Sequence, residues 1–323
     1  MKNIFFVFIA FFAVACTQQP QFVRISGHAL GTYYLVSYYH PEGKNYQAEI
    51  DSILGEFLFV ASLHEPKSEI NAVNNNVDIV LSPMFQDIFN KAVSISEITD
   101  GAFDFTVGPL VRAFGFWNTE REEMTDEKIA EYLELVDFRG IQIVDGRAVK
   151  RNPNIKIDFN AIAKGYAVDL VGEFLESRGI EIFLISIGGD ALGRGVRPNG
   201  NCWRVGIETP AETFLSRREV ETVVQLCNSG LVTSGTYRRY FEQDGRRFSH
   251  TIDPTTGRPV EHSLLSVSVR DTYAWRADAF ATAFMVLGVE KSLEMLKNLP
   301  GVEAFFISSG DNETFVITQS EGF

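Results

Sequence analysis

The sequence predicts an α+β fold that forms a single compact unit. Segments with helical spacing of apolar residues and segments typical of strands are mixed along the chain, without the strict strand–helix alternation of a doubly wound parallel sheet. No repeat, low-complexity tract or proline-rich linker divides the chain. The roughly 300 residues that follow the N-terminal segment are enough to bury one large core.

In the first half of the chain, each element follows from a local signal. Residues 22–39 are rich in Tyr and Val and break at GHALGT, which predicts two strands joined at glycine. Apolar spacing over 50–58 predicts a helix, and a Ser-Pro start predicts another over 82–101. A threonine cap opens a short helix over 125–136. Asp145-Gly146 marks a hairpin turn.

The second half contains more strands. Residues 155–159 read as a strand that feeds a helix from about Ala161 to Arg178, with Asn160 as its cap and Gly179 at its end. A buried strand over 181–187 then stops at a glycine pair. Further strands are predicted at 203–208, 222–227, 264–270, 302–308 and 314–318, with a helix over 275–287.

The N-terminal segment predicts export. A lysine is followed by an unbroken apolar run over 4–15, too short to cross a membrane but typical of a secretion signal. Small residues precede Cys16, as in a bacterial lipobox, so we predict a lipoprotein signal peptide over 1–15 and a lipidated Cys16. The alternative is an ordinary cleaved signal with an incidental cysteine. A tether over 16–26 would then precede the folded domain, 27–323.

Charge and motif content exclude several function classes. A net charge of −13 argues against nucleic acid or an anionic membrane surface as the main partner. The chain has no GxGxxG, GxxxxGK[ST], GxSxG or HExxH motif, which leaves the common nucleotide, serine-hydrolase and zincin sites without support. Cys202 and Cys227 are candidates for a disulfide, but spacing does not show whether they meet.

One candidate site lies in the helix WRADAFATAFMVLG. From Asp278 to Leu287, every residue except Asp278 and Thr282 is apolar, and these two share a face because they are four residues apart. A carboxylate and a hydroxyl are both oxygen ligands and suit Mg²⁺. The alternative is that Asp278 pairs with an arginine at the helix start while Thr282 bonds to its own backbone.

A second candidate site is IDFNAIAKGYAVD. Asp158 ends an apolar segment, and Lys164 lies in the first turn of the following helix, where it opposes the helix dipole. An anion bound at the helix N-terminus would reverse that penalty. The alternative is an Asp158–Lys164 ion pair with no ligand.

Three weaker patterns remain. DGAFDFTVGP predicts a strand with Phe103, Phe105 and Val107 on its core face and Asp104 on the other. IGGD places two glycines at a strand end, where backbone can approach a ligand, although many plain turns look the same. SHTIDPTTGRPV combines His250 with residues typical of a rigid turn.

Together these motifs resemble a known family. The segments GHALGT, SEINAVN, DGAFDFTVGPLVRAFGFW, DFNAIAKGYAVD, IGGD, TSGTYRRY, SHTIDPTTGRPV and ADAFATAF, in this order, resemble those of the FAD:protein FMN transferases, or ApbE family. The resemblance runs from about Gly27 to Gly288. It implies a T-fold-like domain that binds FAD and Mg²⁺ and transfers FMN to a threonine of a partner protein, with release of AMP.

The resemblance also implies residue roles. The metal would be held by Asp278, Thr282 and the backbone carbonyl of Ala161, and His250 would be the general base. FAD would contact a larger set: Leu30, His64, Ala102, Phe103, Asp104, Asp158, Lys164 and Ile252. Leu30 stands where the family commonly has methionine, and His64 where an aromatic residue is frequent.

The implied partners are a flavoprotein subunit of a redox-driven membrane complex or another exported flavoprotein. The implied location is a bacterial cell membrane, with the lipid-anchored enzyme facing the periplasm. Two alternatives stay open on the residues alone: an Mg²⁺-dependent FAD pyrophosphatase that yields FMN and AMP, and a non-catalytic FAD-binding lipoprotein. The presence of both His250 and Asp278 argues against the second.

Overall fold

A computed structural model of the protein describes residues 19–116, 122–210, 219–236, 240–243, 246–249, 251–311 and 314–323. Its helices are α1 (Gln47–Ala61), α2 (Glu69–Asn74), α3 (Pro83–Ile98), α4 (Gly108–Ala113), α5 (Asp126–Leu133), α6 (Ala163–Ser177) and α7 (Ala274–Leu296), with a short 3₁₀ turn at Phe138–Gly140.

Within the described ranges, the main sheet has eight strands, and every neighbouring pair in it is antiparallel. In spatial order the strands are β1 (Gln21–Ala29), β2 (Thr32–His40), β5 (Phe183–Ile187), β6 (Asp190–Arg194), β9 (Asn228–Gly235), β14 (Leu264–Asp271), β15 (Glu303–Ser309) and β16 (Phe315–Gln319).

The remaining strands form two-stranded ribbons. They are β3 (Ile141–Val144) with β4 (Arg147–Lys150), β7 (Trp203–Glu208) with β8 (Val220–Leu226), β10 (Tyr240–Gln243) with β11 (Arg246–Ser249), and β12 (Ile252–Asp253) with β13 (Arg258–Pro259). This mixture of helices and antiparallel sheets confirms the predicted α+β class.

The two faces of the main sheet are covered differently. Helices α1, α3, α6 and α7 pack on one face and form the largest apolar cluster, while the β7–β8 ribbon covers the other. Strand β15 shows the alternation: Phe306 belongs to the helical side, and Phe305 and Ile307 to the ribbon side, because successive strand residues point to opposite faces. A disulfide joins Cys202 to Cys227 at the ribbon, which answers the question that spacing left open.

Most predicted elements are confirmed, with two exceptions. Residues 103–107 form turns that lead into α4, and residues 155–159 are extended but lie in no sheet. The backbone of Ile157 bonds instead to the side-chain amide of Asn74, and the N–H of Asp158 to the carbonyl of Phe105. These tertiary partners satisfy a buried backbone without a neighbouring strand.

Helix α7 continues beyond the predicted end at Leu287. Gly288 interrupts it with a φ of 74°, a conformation that glycine adopts without strain, and a further helical segment follows to Leu296. Among the described residues, no helix combines the length and the apolar character that crossing a membrane requires.

Candidate active site

The N-terminal turns of α6 and α7 approach each other at Gly165. A Cβ atom at this position would lie 2.3 Å from the carbonyl oxygen of Ala274 and 2.8 Å from Cβ of Asp278. Because real Cβ atoms do not approach other atoms so closely, only glycine fits here. The glycine of the AKGYAVD segment therefore sets the distance between the two helices.

The buried Asp278 carboxylate faces the first turn of α6. Its Oδ2 accepts a hydrogen bond of 3.0 Å from the backbone N–H of Gly165. In a longer helix that N–H would donate to the carbonyl of Ala161, but this bond is absent, whereas Ala163 donates to Phe159 and Tyr166 to Ile162 in the same i→i−4 pattern. Two of the predicted metal ligands, Asp278 and the Ala161 carbonyl, thus lie at the same turn.

The alternatives for this helix are wrong. Arg276, the arginine at the start of α7, pairs with Asp271 at 3.0 Å and not with Asp278. Thr282 is half-buried one turn beyond Asp278, and its hydroxyl forms no hydrogen bond within the described part of the chain.

The oxygen atoms at this turn come from one carboxylate, one hydroxyl and one carbonyl. Accordingly, no group of three or more His, Cys, Asp or Glu side chains suited to a metal is found among the residues described. A single protein carboxylate is compatible with Mg²⁺, which usually keeps several waters and binds substrate phosphates.

Asp169 is a buried residue of this region that the sequence reasoning missed. Its Oδ1 accepts a hydrogen bond from the N–H of Ala274 at 3.1 Å, and its Oδ2 accepts one from Trp275 at 2.7 Å. Burial raises the pKa of Asp169 to about 7, although these two bonds oppose the shift. The available signal was its position, one helical turn after Gly165 and therefore on the same face of α6.

Asp158 has one buried oxygen atom without a partner. Its Oδ1 accepts a hydrogen bond from the N–H of Asn160 at 2.8 Å, while its Oδ2 has no hydrogen-bond partner among the described residues. Burial raises the pKa of Asp158 to about 6, and the bond from Asn160 and the charges of Arg112 and His64 oppose this shift. Buried polar atoms are normally satisfied, so an orphaned oxygen in a candidate site indicates a place for a ligand group.

The ion-pair alternative for this segment and its predicted helix cap are both wrong. Asp158 does not pair with Lys164, because the Lys164 ammonium forms an ion pair with the buried carboxylate of Asp190. Asn160 does not cap α6: the cap residue is Ile162, which has no side-chain hydrogen bond to the helix.

The IGGD segment is a hairpin turn that supplies this carboxylate. Ile187 pairs with Asp190 across Gly188 and Gly189, which both have positive φ. A Cβ at Gly188 would lie 2.9 Å from Thr32 and 3.5 Å from Cδ of Lys164. Thr32, which follows the turn between β1 and β2, and Lys164 therefore both lie against Gly188. Leu30 occupies that turn with a φ of 54° and is half-buried.

Asp104 is held by its own neighbourhood. Its Oδ1 accepts hydrogen bonds from the N–H and the hydroxyl of Thr106, at 2.7 and 2.6 Å, and its Oδ2 accepts one from the N–H of Phe138 at 3.3 Å. Burial raises its pKa. Ala102 and Phe103 are buried in the main cluster. The Asp104 side chain thus stabilises this turn. A ligand at this segment would therefore contact backbone groups and not the Asp104 carboxylate.

Ile252 lies in a third apolar cluster, with α4 and α5. The predicted turn is confirmed: Asp253 accepts hydrogen bonds from the N–H and hydroxyl of Thr255, and the Gly257 N–H donates to the Asp253 carbonyl. This cluster reaches the rest of the site through α4, because a Cβ on Gly108 would lie 3.1 Å from Asp158. His64 is exposed on a loop close enough to affect the Asp158 charge.

The predicted site residues therefore divide into groups. Ala161, Lys164, Asp278 and Thr282 lie on the facing turns of α6 and α7, and Leu30 lies in the β1–β2 turn; Asp158 lies next to α4 and near His64. Asp104 belongs to an adjoining hydrogen-bonded turn, in which the Phe105 carbonyl accepts the N–H of Asp158. The predicted general base His250 and the predicted lipidation site Cys16 lie outside the described residues.

Comparison with known proteins gives a consistent result. The ApbE family matches residues 30–306. An FAD:protein FMN transferase from Vibrio cholerae is 35% identical over 287 residues, which cover 86% of this chain and 85% of that protein. One from Haemophilus influenzae is 33% identical over 338 residues, covering 100% and 96%.

Solved structures agree. The flavin transferase ApbE from Vibrio cholerae superposes with a TM-score of 0.82 at 32% identity and covers 94% of this chain and 98% of its own. The apo form of the Pseudomonas stutzeri flavinyl transferase ApbE gives a TM-score of 0.84 at 34% identity, with coverage of 94% and 96%. With a family match over most of its length and relatives above 30% identity, this chain belongs to the ApbE family.

Proposed function

We propose that this protein is a flavin transferase that cleaves FAD and attaches FMN through a phosphoester bond to a threonine of a target flavoprotein, releasing AMP. The observation that carries the proposal is the Asp278 carboxylate. It accepts the hydrogen bond of the Gly165 N–H, so the Ala161 carbonyl does not receive the donor that a continuous helix would provide. Two oxygen ligands at a helix N-terminus, beside a lysine, suit a metal-assisted reaction at a pyrophosphate.

The residues present fit a divalent cation. Asp278 Oδ1 accepts no hydrogen bond from the described residues, and neither does the Ala161 carbonyl. Thr282 adds a hydroxyl on the same face of α7. We propose that these three groups hold Mg²⁺, which when bound would neutralise charge on the phosphate oxygens.

Lys164 is proposed to bind the pyrophosphate. Lys164 lies in the first turn of α6, where the positive end of the helix dipole also favours an anion. The ion pair with Asp190 fixes the side chain in the absence of ligand. The shared position of helix terminus and lysine therefore orients one phosphate before the reaction begins.

Asp158 is proposed to accept a hydrogen bond from FAD. Its buried Oδ2 lacks a donor, and a hydroxyl or N–H of the ligand would supply one. The proposed flavin contacts add Leu30 from the β1–β2 turn, His64, the 102–104 segment and Ile252. Of these, Ile252 and the 102–104 segment are buried, Leu30 is half-buried and His64 is exposed.

The transfer needs a proton acceptor. The threonine oxygen attacks the phosphorus of the FMN half, the bond from that phosphorus to the bridging oxygen breaks, and AMP leaves with that oxygen. His250, two residues before Ile252 in sequence, is proposed to take the hydroxyl proton. The hydrogen bond from the Gly257 N–H to the Asp253 carbonyl fixes the turn that follows this part of the sequence.

We also propose that the protein is exported and anchored by a lipid on Cys16, facing the periplasm, with an acceptor in a membrane redox complex or another exported flavoprotein. The apolar run over 4–15 and the small residues before Cys16 support export. The Cys202–Cys227 disulfide gives independent support, since such bonds persist mainly in oxidising compartments.

The test is a transfer assay with FAD, Mg²⁺ and a flavoprotein subunit encoded beside this gene. Covalent flavin fluorescence on the acceptor in a denaturing gel is expected, and it should vanish when the acceptor threonine is replaced by valine. Free FMN without labelled acceptor would indicate a pyrophosphatase, and unchanged FAD would indicate a storage protein.

Two variants test the metal assignment. Asp278→Asn should abolish Mg²⁺-dependent turnover. Asp271→Asn is a matched control, because Asp271 is also a buried carboxylate, at the end of β14 just before α7, but pairs with Arg276. Equal turnover in both variants would refute the role of Asp278.

A further inference from the structure

Asp169 and Asp278 form a reciprocal pair of caps between α6 and α7. Asp278, on α7, accepts the hydrogen bond of the Gly165 N–H at the start of α6. Asp169, on α6, accepts those of Ala274 and Trp275 at the start of α7. Asp169 comes four residues after Gly165, and Asp278 comes four residues after Ala274. Residues four apart share a face of a helix, so both contacts lie on the facing surfaces of α6 and α7.

Neither helix has a cap of its own. The N-cap residues are Ile162 for α6 and Tyr273 for α7, and neither makes a side-chain hydrogen bond to its helix. The N–H group of Gly165 in α6 and those of Ala274 and Trp275 in α7 therefore depend on the aspartate of the other helix. Both oxygens of Asp169 are engaged by these N–H groups, which leaves its carboxylate to hold α7 and not to bind a ligand.

The position of Asp278 depends on this contact. Ala274 and Asp278 are one turn apart on the same face of α7, and both touch Gly165. Because the helices are already in the closest possible contact at this glycine, a shift of the first turn of α7 carries Asp278 away from the Gly165 N–H and from the Ala161 carbonyl.

We infer that Asp169 is a positioning residue that sets the distance between the Asp278 carboxylate and the Ala161 carbonyl, and thereby the affinity of the site for its divalent cation. The inference rests on the proposed function, in which these two groups hold Mg²⁺. Groups that orient metal ligands typically change metal affinity by about 10–100-fold when they are replaced.

The test is Asp169→Asn, with Mn²⁺ as the probe. Asparagine has the same shape as aspartate, but its amide NH₂ would face one of the two N–H groups that donate hydrogen bonds to the carboxylate. Mn²⁺ binding is measured by the loss of the paramagnetic resonance signal of the free ion, in the presence of AMP, so that no turnover is needed. The dissociation constant is expected to rise by about ten-fold or more.

The matched control is Ser82→Ala, which removes the side-chain cap of α3, where Ser82 Oγ accepts the Phe85 N–H at 3.1 Å. This variant should lower the unfolding temperature without changing Mn²⁺ affinity. If Asp169→Asn also lowers only the unfolding temperature, Asp169 is a structural cap and the inference is wrong.

Two further variants keep the outcomes distinct. If wild-type protein binds no Mn²⁺, or if Asp278→Asn binds it equally well, the proposed metal site fails, and the inference fails with it. If Asp278→Asn loses binding while Asp169→Asn binds like wild type, only the inference fails. Should Asp169→Asn not fold, Asp169→Glu, which keeps both acceptor oxygens on a longer side chain, replaces it; wild-type affinity in that variant overturns the positioning role.

Discussion

Replacing Gly165 with alanine should damage the site more than it damages the fold. The added Cβ would lie 2.3 Å from the Ala274 carbonyl oxygen, about 1 Å short of ordinary non-bonded contact. That oxygen belongs to helical backbone and cannot rotate away, as the end of a side chain can. The N-terminal turns of α6 and α7 must therefore separate by about that amount.

The two expected effects differ in size. Overpacking of this kind costs about 1–3 kcal/mol of unfolding free energy, and the better helix propensity of alanine offsets up to about 1 kcal/mol of it. A displacement of about 1 Å in a catalytic arrangement, in contrast, lowers the rate by about 100-fold. The Gly165 N–H would also move away from Asp278 Oδ2, to which it now donates at 3.0 Å.

Gly172→Ala is the matched control. Gly172 lies two turns further along α6 on the same face, and its added Cβ would meet the end of the flexible Leu192 side chain at 2.8 Å. We expect that Leu192 changes rotamer and that transfer activity stays within about two-fold of wild type.

The assay combines a denaturant titration with the rate of AMP release from FAD as a function of Mg²⁺ concentration. Gly165→Ala should stay folded, release AMP about 100-fold more slowly and need more Mg²⁺ for half-maximal rate. Wild-type Mg²⁺ dependence and rate in Gly165→Ala would refute the reasoning that this glycine sets the metal geometry.

Three further predictions concern charge and cross-linking. Burial raises the pKa of Asp158 to about 6, so between about pH 4 and 6 the folded, ligand-free protein holds a proton that the unfolded chain has released. The unfolding free energy should therefore fall as the pH rises through this window. Asp158→Asn should remove that part of the pH dependence, as measured by denaturant titration at each pH. Lys164→Met should lower the unfolding free energy by about 1–3 kcal/mol because it removes the ammonium beside the buried Asp190 carboxylate. Adding Asp190→Asn should restore most of the stability but not the FAD affinity. If a flavin titration shows that the FAD affinity also recovers, Lys164 serves only the fold. Replacing Cys202 and Cys227 by alanine should cost about 3.5 kcal/mol of unfolding free energy, given their separation of 25 residues. The transfer rate should stay unchanged, since the two cysteines lie on the opposite sheet face from α6 and α7; a slower rate would show that the two layers are coupled.

Local signals were sufficient for most of the elements. Ser82-Pro83 starts α3 as predicted, with the Ser82 hydroxyl accepting the Phe85 N–H, and Thr125 caps α5 in the same way. Asp145-Gly146 forms the predicted hairpin turn, with positive φ at both residues. These features depend on neighbours in sequence, so the sequence alone contains their physical cause.

Other features depend on partners far along the chain. The side chain that accepts a first-turn N–H of α6 is Asp278, more than a hundred residues beyond Asn160, the residue that local rules select. Likewise, the segment 155–159 has the composition of a strand but satisfies its backbone through Asn74 and Phe105. No window of sequence shows which distant group will supply such a hydrogen bond.

The sequence by itself determined the α+β class and the order of most elements, because periodicity and caps are local properties. Only the tertiary structure decided which charges meet: Lys164 with Asp190, Asp278 with Gly165, and Asp169 with the start of α7. The reason is that burial forces each charged or polar group to find a partner, and the packing of α6 on α7 at a single glycine determines which partner is within reach.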